Sequence, residues 1–277
     1  MAGWNMKKHW RAGVLALPFL TGAASAADLP TKKGAPVPYE PTFAWTGFYA
    51  GLNAGYGWID DRGPSLCFAP DGVANGFGCL ASGQPSGAQV SPRGFIGGAQ
   101  VGYNWQMSPS WLVGVEADLQ GSGINGSVNV SGPFVFTVGS GGAGESFTAS
   151  ERMNWFGTVR PRIGFVMDRA LIYATGGLAY GQVKVSSDFL AVGNYVNNYP
   201  ASGVFTRTGW TVGGGVEYAL SSNWSAKLEG LYYDLGRIAL TGSLAPSAGV
   251  TPSGYTIGKS FDVNGGIVRV GLNYKFF

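Results

Sequence analysis

From Trp45 to the C terminus the chain alternates, residue by residue, between apolar or aromatic side chains and polar, charged or small ones. The run W-F-G-T-V-R-P-R-I-G-F-V-M (155–167) sets the pattern. Trp155, Val159, Ile163, Phe165 and Met167 share one parity, and Thr158, Arg160, Arg162 and Gly164 share the other. A period of two describes a strand with two unlike faces. Asp168-Arg169 then separates this run from Ala170–Val185, which predicts an antiparallel hairpin. Eight such strands are predicted: Trp45–Trp58, Gly94–Met107, Trp111–Gln120, Trp155–Met167, Ala170–Val185, Gly209–Leu220, Trp224–Leu235 and Asp262–Phe276.

The connections between them alternate in length. Ser108–Ser110, Asp168-Arg169 and Ser221–Asn223 are short, whereas 59–93, 121–154, 186–208 and 236–261 are long. Short turns on one side and long loops on the other mark a transmembrane up-and-down antiparallel β-barrel, with tight periplasmic turns and long extracellular loops. Turn geometry also predicts partners. Glu217 should lie opposite Lys227, Trp210 opposite Asp234, Arg162 opposite Thr175, Gln100 opposite Asp118 and Tyr103 opposite Val115. A slip of one residue would turn charges toward lipid. Trp and Tyr gather near the strand ends, as interfacial girdles require. Pro161 removes a ladder donor and predicts a local bulge.

Composition supports an all-β membrane protein. Only 12% of residues are charged, against about 25% in an ordinary globular chain, while 47 glycines and 14% aromatic residues are present. The start of the chain reads as a secretory signal peptide. Lys7, Lys8 and Arg11 precede the apolar run Ala12–Leu20, and Ala24-Ser25-Ala26 offers a cleavage site after Ala26. Residues 27–44, with Pro30, Pro36, Pro38 and Pro41, read as an extended periplasmic linker, and residues 45–277 as the barrel.

Loss of the leader changes the candidate chemistry. Three bases leave and no acid does, so 18 − 3 = 15 bases face 15 acids. A neutral mature chain has no electrostatic footing for nucleic acid. His9 is the one histidine and departs with the leader, so neither an enzymatic activity nor a bound cofactor or metal is expected. Gly139–Gly144 fits G-x-G-x-x-G, but no helical pattern follows it, and it reads as loop. Cys67 and Cys79 fall in one long connection and, in an oxidising compartment, are expected to form a loop-stapling disulfide. Glu116, Asp118, Arg160, Arg162, Glu217, Lys227, Glu229, Arg269 and Lys275 all fall on the inward parity, where an ion-pair network would fill a narrow eight-stranded lumen. Glu217 is expected to meet Lys227, and Glu229 to meet Arg269.

Three pieces of the chain resemble a known family. They are A-D-L-P at 27–30 with P-T-F-A-W-T-G-F-Y-A-G-L-N-A-G-Y-G-W at 41–58, the whole 155–181 hairpin, and V-R-V-G-L-N-Y-K-F-F at the end. They are similar to the small eight-stranded outer-membrane proteins of alphaproteobacteria, the RopB-like group of immunogenic surface antigens. The resemblance implies an outer-membrane protein that contributes to envelope integrity and surface presentation, among outer-membrane lipid and lipopolysaccharide. The alternating Val268, Val270, Leu272, Tyr274 and Phe276 resemble the signal read by the barrel-assembly machinery. A small passive porin-like channel and an adhesin acting through the outer loops are the competing expectations.

Overall fold

The computed structural model describes residues 43–60, 65–70, 78–79, 88–132, 135–136, 139–140, 144–192, 196–243 and 255–276. The expected leader and most of the linker lie outside them. The strands are β1 Gly47–Ile59, β2 Ser65–Pro70, β3 Gly78–Cys79, β4 Arg93–Gln106, β5 Trp111–Ser122, β6 Asn125–Ser131, β7 Val135–Phe136, β8 Gly139–Ser140, β9 Ser146–Met167, β10 Ala170–Val192, β11 Val196–Ala219, β12 Trp224–Ser243 and β13 Tyr255–Lys275. Eight of them form the barrel in the order β1-β4-β5-β9-β10-β11-β12-β13. Antiparallel pairing of β13 with β1, from Tyr49 opposite Lys275 to Ile59 opposite Gly265, closes the ring. Closure leaves no unpaired edge in hydrocarbon, where an unbonded peptide group costs several kcal/mol.

The predicted registers are present: Glu217 opposite Lys227, Trp210 opposite Asp234, Arg162 opposite Thr175, Gln100 opposite Asp118 and Tyr103 opposite Val115. Phe48, Leu52, Val101, Leu119, Ile163, Leu178, Val212, Leu228 and Val270 are exposed on the outer face. This apolar belt lies between two aromatic rows. Trp105, Trp111, Phe165, Tyr218, Trp224 and Tyr274 stand at the short-turn end, and Tyr56, Trp58, Phe95, Trp155, Tyr180, Trp210 and Tyr232 at the other. Edge-to-face contacts within the rows, such as Trp111–Phe165 at 5.5 Å and Trp155–Tyr180 at 6.0 Å, stiffen the girdles.

The strands run well past the upper aromatic row, so three expected boundaries are corrected. Much of 121–154, 186–208 and 236–261 is strand rather than loop: β9 begins at Ser146, β10 and β11 form a hairpin up to Val192 opposite Val196, and β13 begins at Tyr255. The periodicity breaks at the row for two physical reasons. Above it the outer face meets water, so the polarity of the faces inverts. Phe147, Ala149, Met153, Val183, Val185, Phe189, Leu235, Ile238, Phe261 and Val263 point inward and form an apolar core. The parity itself also slips. Asn154 is bulged out of the β9–β10 ladder, which passes from Trp155–Gln182 to Met153–Val183. The β12–β13 ladder carries an extra residue between Asp234 and Arg237.

The bulge expected at Pro161 is absent. Val115 stays opposite Pro161 on one side, and the register on the other is the same before and after it, with Thr175 opposite Arg162 and Leu178 opposite Val159. The proline points outward, and Thr175 Oγ1 donates to its carbonyl at 2.8 Å, which holds the strand in line. At the entry to the barrel, β1 starts at Gly47 rather than Trp45. Trp45 turns into the short-turn end of the lumen and packs with Leu112, Val166, Leu171, Tyr173 and Ala219 as an apolar stopper. The Gly139–Gly144 stretch contributes Gly139–Ser140 to a small hairpin with Val135–Phe136.

Strand β2 continues the sheet along β13, and β3 pairs with β2 so that Cys67 stands directly opposite Cys79. Their side chains lie outside the described residues. Directly opposed residues in an antiparallel ladder have Cα atoms about 4.5–5.5 Å apart, within the span of a disulfide. Intact-mass measurement of the unreduced protein should find the two thiols unavailable to alkylation, with a gain of two hydrogens on reduction. Closing a loop of about a dozen residues stabilises it by up to ~3 kcal/mol. Free alkylation of both thiols without reductant would reject the bond.

Candidate functional site: a charge network across the lumen

Between the Trp45 stopper and the upper apolar core, the lumen holds four carboxylates and four cations. The carboxylates are Glu116 and Asp118 of β5, Glu217 of β11 and Glu229 of β12. The cations are Arg160 and Arg162 of β9, Lys227 of β12 and Arg269 of β13. All eight side chains are buried. Glu116 lies at the centre. Its Oε1 accepts from Lys227 Nζ at 2.7 Å and Arg160 Nη2 at 2.9 Å, and its Oε2 accepts from Tyr49 Oη at 2.7 Å. Asp118 Oδ2 accepts from Thr158 Oγ1 at 2.6 Å, Arg269 Nη2 at 2.8 Å and Arg160 Nη2 at 3.2 Å. Glu229 is held on both oxygens. Arg160 Nη1 reaches Oε1 at 3.1 Å, Tyr173 Oη donates to Oε1 at 2.9 Å, and Arg269 Nε donates to Oε2 at 2.7 Å.

The second half of the network gathers around Arg162. Its Nη1 donates to Glu217 Oε2 at 3.1 Å, and Nε and Nη2 both donate to Asn104 Oδ1, at 2.9 and 2.6 Å. The guanidinium also faces two rings, 4.8 Å from the Tyr49 centroid and 5.3 Å from that of Tyr173. Glu217 Oε1 accepts from Ser225 Oγ and, at 2.8 Å, from Asn273 Nδ2. Asn53, Gln100 and Asn273 extend the chain of amide bonds along the β1 wall. Tyr49 reaches the centre because Gly102 faces it. A Cβ on that residue would come within 2.3 Å of the ring.

Eight of the nine charged residues expected in the lumen are therefore brought together. Lys275 is not. Its parity is inward, but it lies at the rim, where Nζ donates to the Ala44 carbonyl and stands 4.6 Å above the Phe43 ring. The expected Glu229–Arg269 pair is present, with the closest N···O distance 2.6 Å. The expected Glu217–Lys227 pair is replaced: Lys227 crosses the lumen to Glu116, and Glu217 turns to Arg162. Ladder register places backbones, whereas in a narrow ring side chains from opposite walls converge, and the nearest charge is across the lumen. Tyr49, Tyr173, Asn104, Thr158 and Asn273 were missed. Each shares the inward parity with a charged residue, which is the signal that marks them. Val268, Val270, Leu272, Tyr274 and Phe276 lie exposed on the outer face of the closing strand.

The network should behave as coupled pairs. Lys227→Ala leaves the Glu116 carboxylate short of a cation in a poorly hydrated space, with an expected cost on the order of 3–5 kcal/mol. Adding Glu116→Gln should recover part of the lost unfolding temperature. Adding Glu217→Gln should not, because its cation is Arg162. The outcome that refutes the cross-lumen assignment is coupling of Lys227 to Glu217 and none to Glu116, read by a double-mutant cycle.

The chain matches the family model of the outer membrane protein beta-barrel domain over residues 12–276. It is 36% identical to the 31 kDa outer-membrane immunogenic protein of Brucella melitensis over 277 residues, covering 98% of this chain and 100% of that one. It is 32% identical to the 22 kDa outer membrane protein of Rhizobium leguminosarum bv. viciae over 197 residues, 71% of this chain and 67% of that one. Among solved structures, it is similar to the outer membrane protein OprG of Pseudomonas aeruginosa at a TM-score of 0.45 and 14% identity, over 85% of this chain and 98% of that one. With the family model matched along nearly all of its length and a closed eight-stranded ring behind that match, the chain belongs to the outer-membrane β-barrel protein family.

Proposed function

We propose that this protein is a structural and surface-presenting component of the outer membrane, with a plugged lumen rather than an open channel. The observation that carries this reading is the neutral set of four acids and four bases bonded from wall to wall. Ions entering such a layer would have to displace charge-assisted hydrogen bonds from groups that have little water to replace them. The Trp45 stopper below and the apolar core above add two further barriers.

Surface presentation is supported by the strands that rise beyond the aromatic row with a polar outer face. It is supported too by relatives that are named as immunogenic outer-membrane proteins. The chain acts without enzymatic chemistry in this reading, since the exported form has no histidine to serve as a base. Export would remove residues 1–26, so N-terminal sequencing of the envelope protein should begin Ala27-Asp28-Leu29. A start elsewhere would contradict it.

The deciding experiment is conductance of the purified, refolded protein in a planar bilayer. No stable steps are expected from the wild type. Stable, voltage-independent steps would overturn the plug and favour a small porin-like channel. Specific binding of the cell-free barrel to a host-surface component, lost on trimming the outer connections, would favour an adhesin.

A further inference from the structure

At the upper aromatic row the outer wall of the barrel carries a cleft of about 620 Å³. Its lining includes Tyr56 and Trp58 at the top of β1, Asp60 just beyond it, Arg93 at the start of β4, Tyr232 of β12 and Asn264 of β13. The backbone builds it. Strand β1 stops at Ile59, whose N–H donates to the Pro92 carbonyl at 2.9 Å, and the Asp60 N–H donates to the Asn264 carbonyl at 2.7 Å. The two chains therefore hold the polar residues above the aromatic ones. Trp58 packs flat because Gly266 lies beneath it. A Cβ there would fall 2.3 Å from the indole. Asn264 Nδ2 donates to Tyr232 Oη at 2.9 Å and fixes that ring. The other end of the same amide, Oδ1, is shielded from solvent and has no hydrogen-bond partner among the described residues.

The cleft lies on the lipid-facing side, at the end of the barrel that carries the long connections and thus faces the outer leaflet. Its lower wall is at the depth where aromatic rings meet the hydrocarbon boundary, and its upper part is at head-group depth. Each group has a separate use there. An exposed guanidinium can clamp a phosphate through two parallel N–H donors. A carboxylate accepts from hydroxyls but not from phosphate oxygens. Ring faces cover the apolar C–H face of a sugar. A bare phosphate would leave Asp60 opposed to like charge, and an uncharged sugar would leave Arg93 unused. The volume is within the range of small-molecule sites.

We propose that this cleft binds the phosphorylated saccharide head group of an outer-leaflet glycolipid, with Arg93 on the phosphate, Asp60 on sugar hydroxyls and Tyr232, held by Asn264, against the sugar ring, while the acyl chains descend along the belt below Tyr56 and Tyr232. The inference does not depend on whether the lumen conducts, because the cleft is on the opposite side of the wall.

Native mass spectrometry of the refolded protein in detergent tests it, using deep-rough lipopolysaccharide, the same lipid after dephosphorylation, and inorganic phosphate. One lipopolysaccharide per barrel is expected. Arg93→Ala and dephosphorylation should each weaken binding about tenfold, a loss of roughly 1.4 kcal/mol. Asn264→Leu, which releases the Tyr232 ring, should weaken both lipid forms alike, and millimolar inorganic phosphate should not displace the lipid. Arg93 is exposed at a strand end, so heat-modifiable gel mobility should be unchanged in its variant. Equal retention of lipid by Arg93→Ala and wild type would overturn the proposal. So would full displacement by inorganic phosphate, which would make the cleft a site for a free anion.

Discussion

Eight ionised side chains share an interior with little room for water, and the fold depends on that interior being neutral. A single charge moved there from water would cost several kcal/mol, and no shift of the strands could recover it. The network meets the constraint by sharing. Arg160 touches Glu116, Asp118 and Glu229, and Arg269 touches the same three. Glu116, Asp118 and Glu229 each meet two or more bases, whereas Glu217 is held by Arg162 together with Ser225 and Asn273. The shared bonds also tie β5, β9, β12 and β13 together through the lumen, in addition to the ladders that join neighbours around the ring. The barrel is thus held along its circumference and across its diameter.

The solvent sets a second constraint, because it changes along the strand. Below the upper aromatic row the outside is hydrocarbon, so the inside can be polar. Above the row the outside is water, and the inside must supply the apolar core that an ordinary sheet protein would have. Chains such as β9 and β12 make the change with an extra residue at the boundary, near Asn154 and near Leu235-Gly236. Their partners β10 and β13 keep an unbroken parity through the same level. A bulge on one strand of each pair increases the local twist and re-aims the side chains just where their surroundings change.

These constraints explain what could be read in the sequence. Ring order, registers and the outward set follow from a period of two and the lengths of the turns, both local properties. Eight of nine lumen charges follow from the same parity. What was hidden depends on three-dimensional closure: that Lys227 would pass over its ladder neighbour Glu217 for Glu116 on the far wall, 111 residues away. Likewise, the strand extensions were hidden because the rule that finds membrane strands, apolar outward, holds only inside the membrane. Trp45 shows the same limit at the other end. Its aromatic ring and its place before an alternating run resemble a girdle residue, yet it lies on the lumen side.

The stopper has a consequence for the order in which the molecule can be made. Trp45 fills a mouth whose walls come from β5, β9, β10 and β11, and the segment before it is latched by Lys275, 231 positions away from Ala44. None of that surface exists while the first strand stands alone. The residues that enter the envelope early must therefore wait, solvated and unpacked, until the last strand arrives. Closing the ring and sealing its lower mouth become one event, and a sheet halted at seven strands would remain both open at its edge and unsealed at its base.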